Sequence, residues 1–188
     1  DMLEAAVLNV FLSPLHVERL AESQPWIADL PRYLTPSPVD VKVYRDRNNL
    51  RVPGTVLGVN SLTQLKGGQP VLDYVKTHPD LQFTFVGETN YPPADLPKNA
   101  VFIGPQAPMQ MPDHYSQTEA LLHLPPSLDP FSRTVVEARL CGVKRIVRNK
   151  NIGACSYPEW NLPDADFRAW IDRAPARFWD AIEQAVGV

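Results

Sequence analysis

Residues 121–142 read LLHLPPSLDPFSRTVVEARLCG, and this stretch decides the fold. The apolar run LLHL stops at Pro125-Pro126, a polar loop follows, and Val135, Val136 and Leu140 then recur at helical spacing until Gly142. A further apolar run, KRIV at 144–147, comes next. Strand, loop, helix and strand in that order form a βαβ unit, whose strands are parallel because the helix returns the chain to the end it left. Ligands of such sheets gather at the carboxyl ends of the strands, where loops meet helix N-termini. The loop after Pro125 is therefore where chemistry is expected. Asp129 lies on it and Glu137 eight positions later, within the helix. Ser132 is placed to cap that helix. The amides of Ser132, Arg133 and Thr134 would face an anion held at its start. Carboxylates at such a mouth suit sugar and ribose hydroxyls. The plainer readings are a turn acid for Asp129 and a solvated helix face for Glu137, though apolar neighbours make the second uncomfortable.

Working outward, the same alternation continues. Strands are expected at 56–59 (VLGV), at 81–86 (LQFTFV, stopped by Gly87) and at 101–103 (stopped by Gly104). A helix opens at Pro70 with Val71, Leu72 and Val75 on one face, and a short helix is expected at 115–120. Before these come a strand at 7–12, a helix at 15–22 and an extended linker at 31–43, PRYLTPSPVDVKV. After them come two amphipathic helices, one with Phe167, Trp170 and Ile171 inward, the other with Phe178, Ile182 and Val186, and Pro175 at their junction. The expected fold class is α/β: a Rossmann-like parallel sheet with helices on both faces and right-handed crossovers.

Composition narrows the function. At 188 residues and 44% hydrophobic the chain can bury a core without disulfides or metal, and it is too apolar to be disordered. A net charge of −3 argues against general nucleic-acid binding. No apolar run approaches the ~20 residues of a membrane span. Cys141 and Cys155 make neither a metal pattern nor a disulfide framework, so a reducing cytoplasm is the expected compartment. No leader precedes the apolar segments, and an internal start at Asp1 suggests a piece of something larger. The 20 prolines, about twice the average share, fall between apolar segments as punctuation. His16, His78, His114 and His123 lack metal-ligand spacing, and no metal is expected. His123 suits a strand and Cys141 a helix end; Trp170, Phe178 and Trp179 are spaced as core. His16 is the better functional candidate among the histidines.

One more motif carries chemistry. Lys66-Gly67-Gly68 stands between the 56–59 strand and its helix. Glycines permit close backbone approach, helix amides favour anions, and a lysine there can neutralise a diphosphate. It is neither a P-loop nor a GxGxxG turn. A surface turn with a solvated lysine is the plain alternative.

The ordered set — KGG, then FTFVGE, then a strand ending in Gly104, then PS-x-D-P-F-S-x4-E-A-x2-C-G — resembles the C-terminal donor-binding domain of a GT-B glycosyltransferase of the retaining, family 4-like type. The resemblance spans about residues 53–153, and Pro38-Val39-Asp40 looks like that family's hinge. It implies that Lys66, with Gly67, contacts the donor diphosphate and that Asp129 touches the transferred sugar. Phe131, Ser132 and Arg133 would supply the backbone cradle, and Glu137 would bind the ribose hydroxyls. Gly87, Glu88, Ile103 and Gly104 would line the base and ribose pocket, and Gly153 would approach the acceptor side or the diphosphate. His16 would lie near the interdomain cleft. The catalytic group is left open between a missing domain and Asp129.

Three positions depart from the family pattern: Gly58-Val59-Asn60 lacks its arginine, for which Arg133 or Arg148 would have to substitute; Asp129 replaces a glutamate; and Ser132 replaces a glycine. The domains implied are 1–37, the end of an acceptor domain with its hinge; 38–163, the nucleotide-sugar domain; and 164–188, helices packed on it. The expected partners are a UDP- or GDP-linked sugar and a glycan or lipid acceptor, as in polysaccharide biosynthesis, without a cofactor. Peripheral membrane association is compatible with this. A nucleotide-sugar 2-epimerase of the same architecture and a non-catalytic binding module are the alternatives.

Overall fold

The computed structural model of the chain describes residues 3, 5–59, 61–63 and 67–187. In chain order its elements are β1 (Asn9–Phe11), α1 (Pro14–Ser23), β2 (Arg32–Leu34), β3 (Val52–Val59), α2 (Gly68–Lys76), β4 (Gln82–Val86), β5 (Ala100–Phe102), α3 (Met111–Gln117), β6 (Thr118–His123), α4 (Arg133–Leu140), β7 (Arg145–Arg148), α5 (Asp164–Asp172) and α6 (Ala174–Val186). Two compact units result. The first is Asp1–Val41, Leu128–Arg133 and Asn151–Val188; the second is Lys42–Ser127 and Thr134–Lys150.

The second unit is built on an all-parallel sheet in the order β5-β4-β3-β6-β7, flanked by helices, which is the α/β class expected. Val56, Phe83, Phe85, Ala120 and Leu122 meet Val75 of α2 in its core. Strands covered on both faces read as continuous apolar runs, and β6 has the burial to match. Gly58 leaves the space that the Phe85 ring fills, and Phe85 stacks on Phe102 at 5.0 Å. Helix α4 ends in a Schellman turn: Val143 N–H donates to Ala138 O and Gly142 N–H to Arg139 O, with Gly142 at φ 86.

Two boundaries differ from expectation. Strand β3, expected at 56–59, begins already at Val52 and runs through Pro53 and Gly54; the Gly54 N–H donates to Glu119 Oε2 at 2.6 Å. The helix expected at 115–120 ends at Gln117, and Thr118 already belongs to β6. Glu119 and Ala120 favour helix locally, but pairing with β3 and β7 on either side overrides that preference.

In the first unit β1 and β2 pair in parallel, Phe11 opposite Leu34. Residues 32–34 are thus a strand within what reads as a linker. Ser13 caps α1, its Oγ accepting from the His16 N–H at 3.1 Å, and Pro14 opens the helix. Phe11, Val17 and Ile27 form a small core. Phe167 and Ile171 of α5 are buried, and Phe167 meets Trp160 and Trp170 edge-on or tilted.

Candidate functional site

In the second unit the strand order reverses at β3, which has β4 on one side and β6 on the other. Such a switch point opens a crevice outside the carboxyl ends of the strands. Gly67 lies there, N-capping α2 in the left-handed region at φ 71. A side chain on it would come within 2.7 Å of Pro126 Cβ, so the turn after β3 and the loop after β6 are in contact. Asn149, beyond β7, donates to Pro125 O at 2.7 Å and ties the third neighbouring loop in. Beneath them Gly58, Val59, His123 and Pro125 line a cavity of ≈ 30 Å³, room for a water molecule but not a nucleotide. At the next pair of strand ends the Gly87 N–H donates to Gly104 O at 3.0 Å, and the Leu62 N–H donates to Glu88 O at 2.7 Å. Gly87, Glu88, Ile103 and Gly104 are therefore brought together, with Glu88 and Ile103 exposed.

Glu137 is buried, at 8% exposure. A carboxylate loses hydration when buried and needs donors in exchange. The Tyr115 hydroxyl supplies one, donating to Glu137 Oε2 at 3.3 Å. Burial, with Glu137 and Tyr44 nearby, holds the Tyr115 pKa well above 10.0, so the phenol remains a donor. Arg51, just before β3, anchors Tyr115 through its backbone and binds the residue that follows the helix carrying Glu137. Its Nη1 donates to Tyr115 O and Thr118 O, each at 2.8 Å, and its Nη2 donates to Cys141 O at 2.6 Å. Tyr115 and Arg51 carry no motif; only the fold reveals them.

In the first unit residues 128–133 lie alongside 151–154. The Asp129 N–H donates to Asn151 O at 2.8 Å, the Gly153 N–H to Asp129 O at 2.9 Å, and the Ala154 N–H to Phe131 O at 2.8 Å. Asp129 is half-buried, Arg133 exposed, and the Phe131 ring is core, packing edge-on against Tyr157. A Cβ on Gly153 would fall on Pro130 O and Ser13 Oγ, so this loop fits only a glycine. Ser132 stands at φ 64, in the left-handed region, rather than in the extended backbone of an ordinary N-cap. His16 accepts from the Leu12 N–H through Nδ1 at 3.3 Å, and burial lowers its pKa.

Asp129 and residues 131–133 thus cluster in the first unit, and Gly67, Gly87, Glu88, Ile103, Gly104 and Glu137 belong to the second. Lys66, the expected diphosphate contact, lies outside the described residues. Among the described residues no group of three or more His, Cys, Asp or Glu side chains could hold a metal ion. No helix among them is long and apolar enough to cross a membrane.

No family model matches the sequence, and no curated protein does. Solved structures do match. Sucrose-phosphate synthase from Thermosynechococcus elongatus aligns with a TM-score of 0.64 and 20% identity over 99% of this chain and 58% of its own. AviGT4, a glycosyltransferase involved in avilamycin A biosynthesis, gives 0.64 and 15% over 95% and 64%. Anabaena Alr3699/HepE, solved in complex with UDP-glucose, gives 0.61 and 19% over 96% and 56%. The chain spans less than two thirds of each. At these identities the likeness is one of fold, and it agrees with the resemblance in the motifs: this chain has the α/β fold of a GT-B glycosyltransferase's C-terminal domain.

Proposed function

We propose that the chain is the donor-binding part of a retaining glycosyltransferase and takes a nucleoside-diphosphate sugar. The observation that carries this reading is the junction at the β3–β6 switch point, where the glycine turn opening α2 meets the loop leaving β6. Helix-start amides favour phosphate there, and a buried glutamate, Glu137, lies on the helix that follows the same loop. In this reading Glu137 accepts from the ribose hydroxyls. Gly87, Glu88, Ile103 and Gly104 border the base, and Lys66 and Gly67 meet the diphosphate. Asp129, Phe131, Ser132, Arg133 and Gly153 keep the sugar-side or phosphate-side roles that the resemblance gives them. Diphosphate charge is offset by cationic side chains and helix amides, without a metal. Transfer to a glycan or lipid acceptor requires a further domain, of which residues 1–37 are read as the end, with the hinge. The full enzyme is then a cytoplasmic one of polysaccharide biosynthesis.

The test is a thermal-shift panel of UDP, GDP, ADP and their sugars, followed by calorimetry. At a hundred times Kd a ligand adds about 2.7 kcal/mol, or roughly 5–10 °C for a chain of this size. Lys66→Ala and Glu137→Ala are each expected to abolish or greatly weaken the response. Failure of every nucleotide to bind, or unchanged binding in both variants, overturns the reading.

A further inference from the structure

We propose that Tyr115 is a positioning residue for nucleotide recognition: its hydroxyl fixes the Glu137 carboxylate in the rotamer that receives the ribose hydroxyls. The inference rests on the donor-binding reading above and extends it to a side chain that no motif marks.

Three observations carry it. The pair is largely withdrawn from solvent: Tyr115 is fully buried, and Glu137 keeps 8% exposure. A glutamate has three rotatable side-chain bonds, and an approaching diol would otherwise have to order them at the moment of binding. A donor on one oxygen removes that freedom beforehand. The contact is also of the right polarity. The phenol donates to Oε2, and its raised pKa prevents it from ionising and repelling the carboxylate at ordinary pH. Finally, the pair is held from behind. Tyr115 lies on α3 and Glu137 on α4, elements that do not adjoin in sequence, and Arg51 binds the last turn of the first and the residue just past the second. Tyr44 packs at a tilt against the Tyr115 ring, 6.4 Å between centroids. The hydroxyl is thus delivered to Glu137 by a fixed framework, the arrangement by which supporting hydrogen bonds give a binding group its precision.

The test uses Tyr115→Phe, which keeps the buried ring and removes one oxygen, with circular dichroism and thermal denaturation to establish that it folds. The readout is the ratio of affinities for UDP and 2′-deoxy-UDP, measured by calorimetry on the intact chain. In the native protein UDP is expected to bind more tightly than its deoxy analogue. In Tyr115→Phe that ratio is expected to fall about three- to tenfold, the scale of one ordinary intramolecular hydrogen bond. Affinity for 2′-deoxy-UDP should change little. Glu137→Gln, which leaves the shape but not the charge, should collapse the same ratio. A folded Tyr115→Phe that keeps the native ratio overturns the positioning role alone. A loss shared equally by UDP and its deoxy analogue assigns Tyr115 to packing and also overturns it. A native protein that binds none of UDP, GDP and ADP overturns the donor-binding reading, and this inference with it; where GDP or ADP binds instead of UDP, the same ratio is read with that nucleotide and its 2′-deoxy form.

Discussion

Ser132 occupies the position where the resembled pattern has a glycine, and its backbone explains the pattern. At φ 64 it is one of two non-glycine residues with positive φ, the other being Asn48, among those described. Asparagine tolerates that region; serine gains little from it, and a Cβ there costs roughly 1–2 kcal/mol. Its side chain is buried and has partners of its own. A simple comparison between native protein and Ser132→Gly would therefore mix backbone relief with loss of the hydroxyl. Ser132→Gly and Ser132→Ala both remove the hydroxyl and differ only in the methyl. Glycine is expected to be the more stable of the two by about 1 kcal/mol, against its usual disadvantage in the unfolded chain. Chemical denaturation midpoints of the two variants measure it; an alanine variant as stable as the glycine one would mean that this loop relaxes out of the left-handed conformation. The departure from glycine was visible in the sequence. That the site keeps the glycine conformation was not, because a side chain's identity does not report the dihedral it is forced to adopt.

At the scale of elements, legibility followed the strength of the local signal. The strands at 81–86 and 101–103, the helix closed by Gly142 and the two C-terminal helices announce themselves by alternation, spacing or punctuation, and the structure has them within a residue or two. Strand β2 is only three residues among prolines, RYL, and is defined by its partner β1. The start of β6 is written in helix formers and becomes a strand because β3 and β7 flank it. In both cases the deciding information is a neighbour distant in sequence. The same holds for the segment around Gly153, which carries a glycine but no recognisable turn. Its carbonyl accepts from Ser156 Oγ at 2.7 Å, and Ser156 Oγ in turn accepts from the Leu15 N–H at 3.1 Å. The loop is thus stitched to α1 as well as to the 128–133 segment. Pro130 O is backbone and cannot swing away from an added methyl as a side chain could. Gly153→Ala is expected to destabilise the chain by about 1–3 kcal/mol, seen as a lower melting temperature. An unchanged melting temperature would show that the segment yields, and that the glycine is kept for some other reason.

For the whole molecule, the proportion of each neighbour that the chain covers bears on what it can do alone. It aligns over nearly all of itself with 58% of sucrose-phosphate synthase and 56% of Alr3699/HepE. On the reading proposed here that portion holds the donor. Sugar transfer also needs an acceptor hydroxyl held in line with the breaking bond, and holding two reactants together supplies about 7–11 kcal/mol of the barrier. A chain that fixes only the donor forgoes that contribution, a rate factor of more than ten-thousandfold. The 188-residue chain is therefore expected to bind a nucleoside diphosphate, and to be stabilised by it, while releasing no product above background when incubated with the matching nucleotide sugar and candidate acceptors. Nucleotide release followed by a coupled assay, with sugar transfer followed by mass spectrometry, tests both halves on one sample. Transfer by the chain alone would require it to hold the acceptor as well, and would end its description as a donor-binding part. Conversion of the nucleotide sugar to an isomer without any acceptor would move the chemistry from transfer to epimerisation, since that reaction needs one substrate and no second domain to present another.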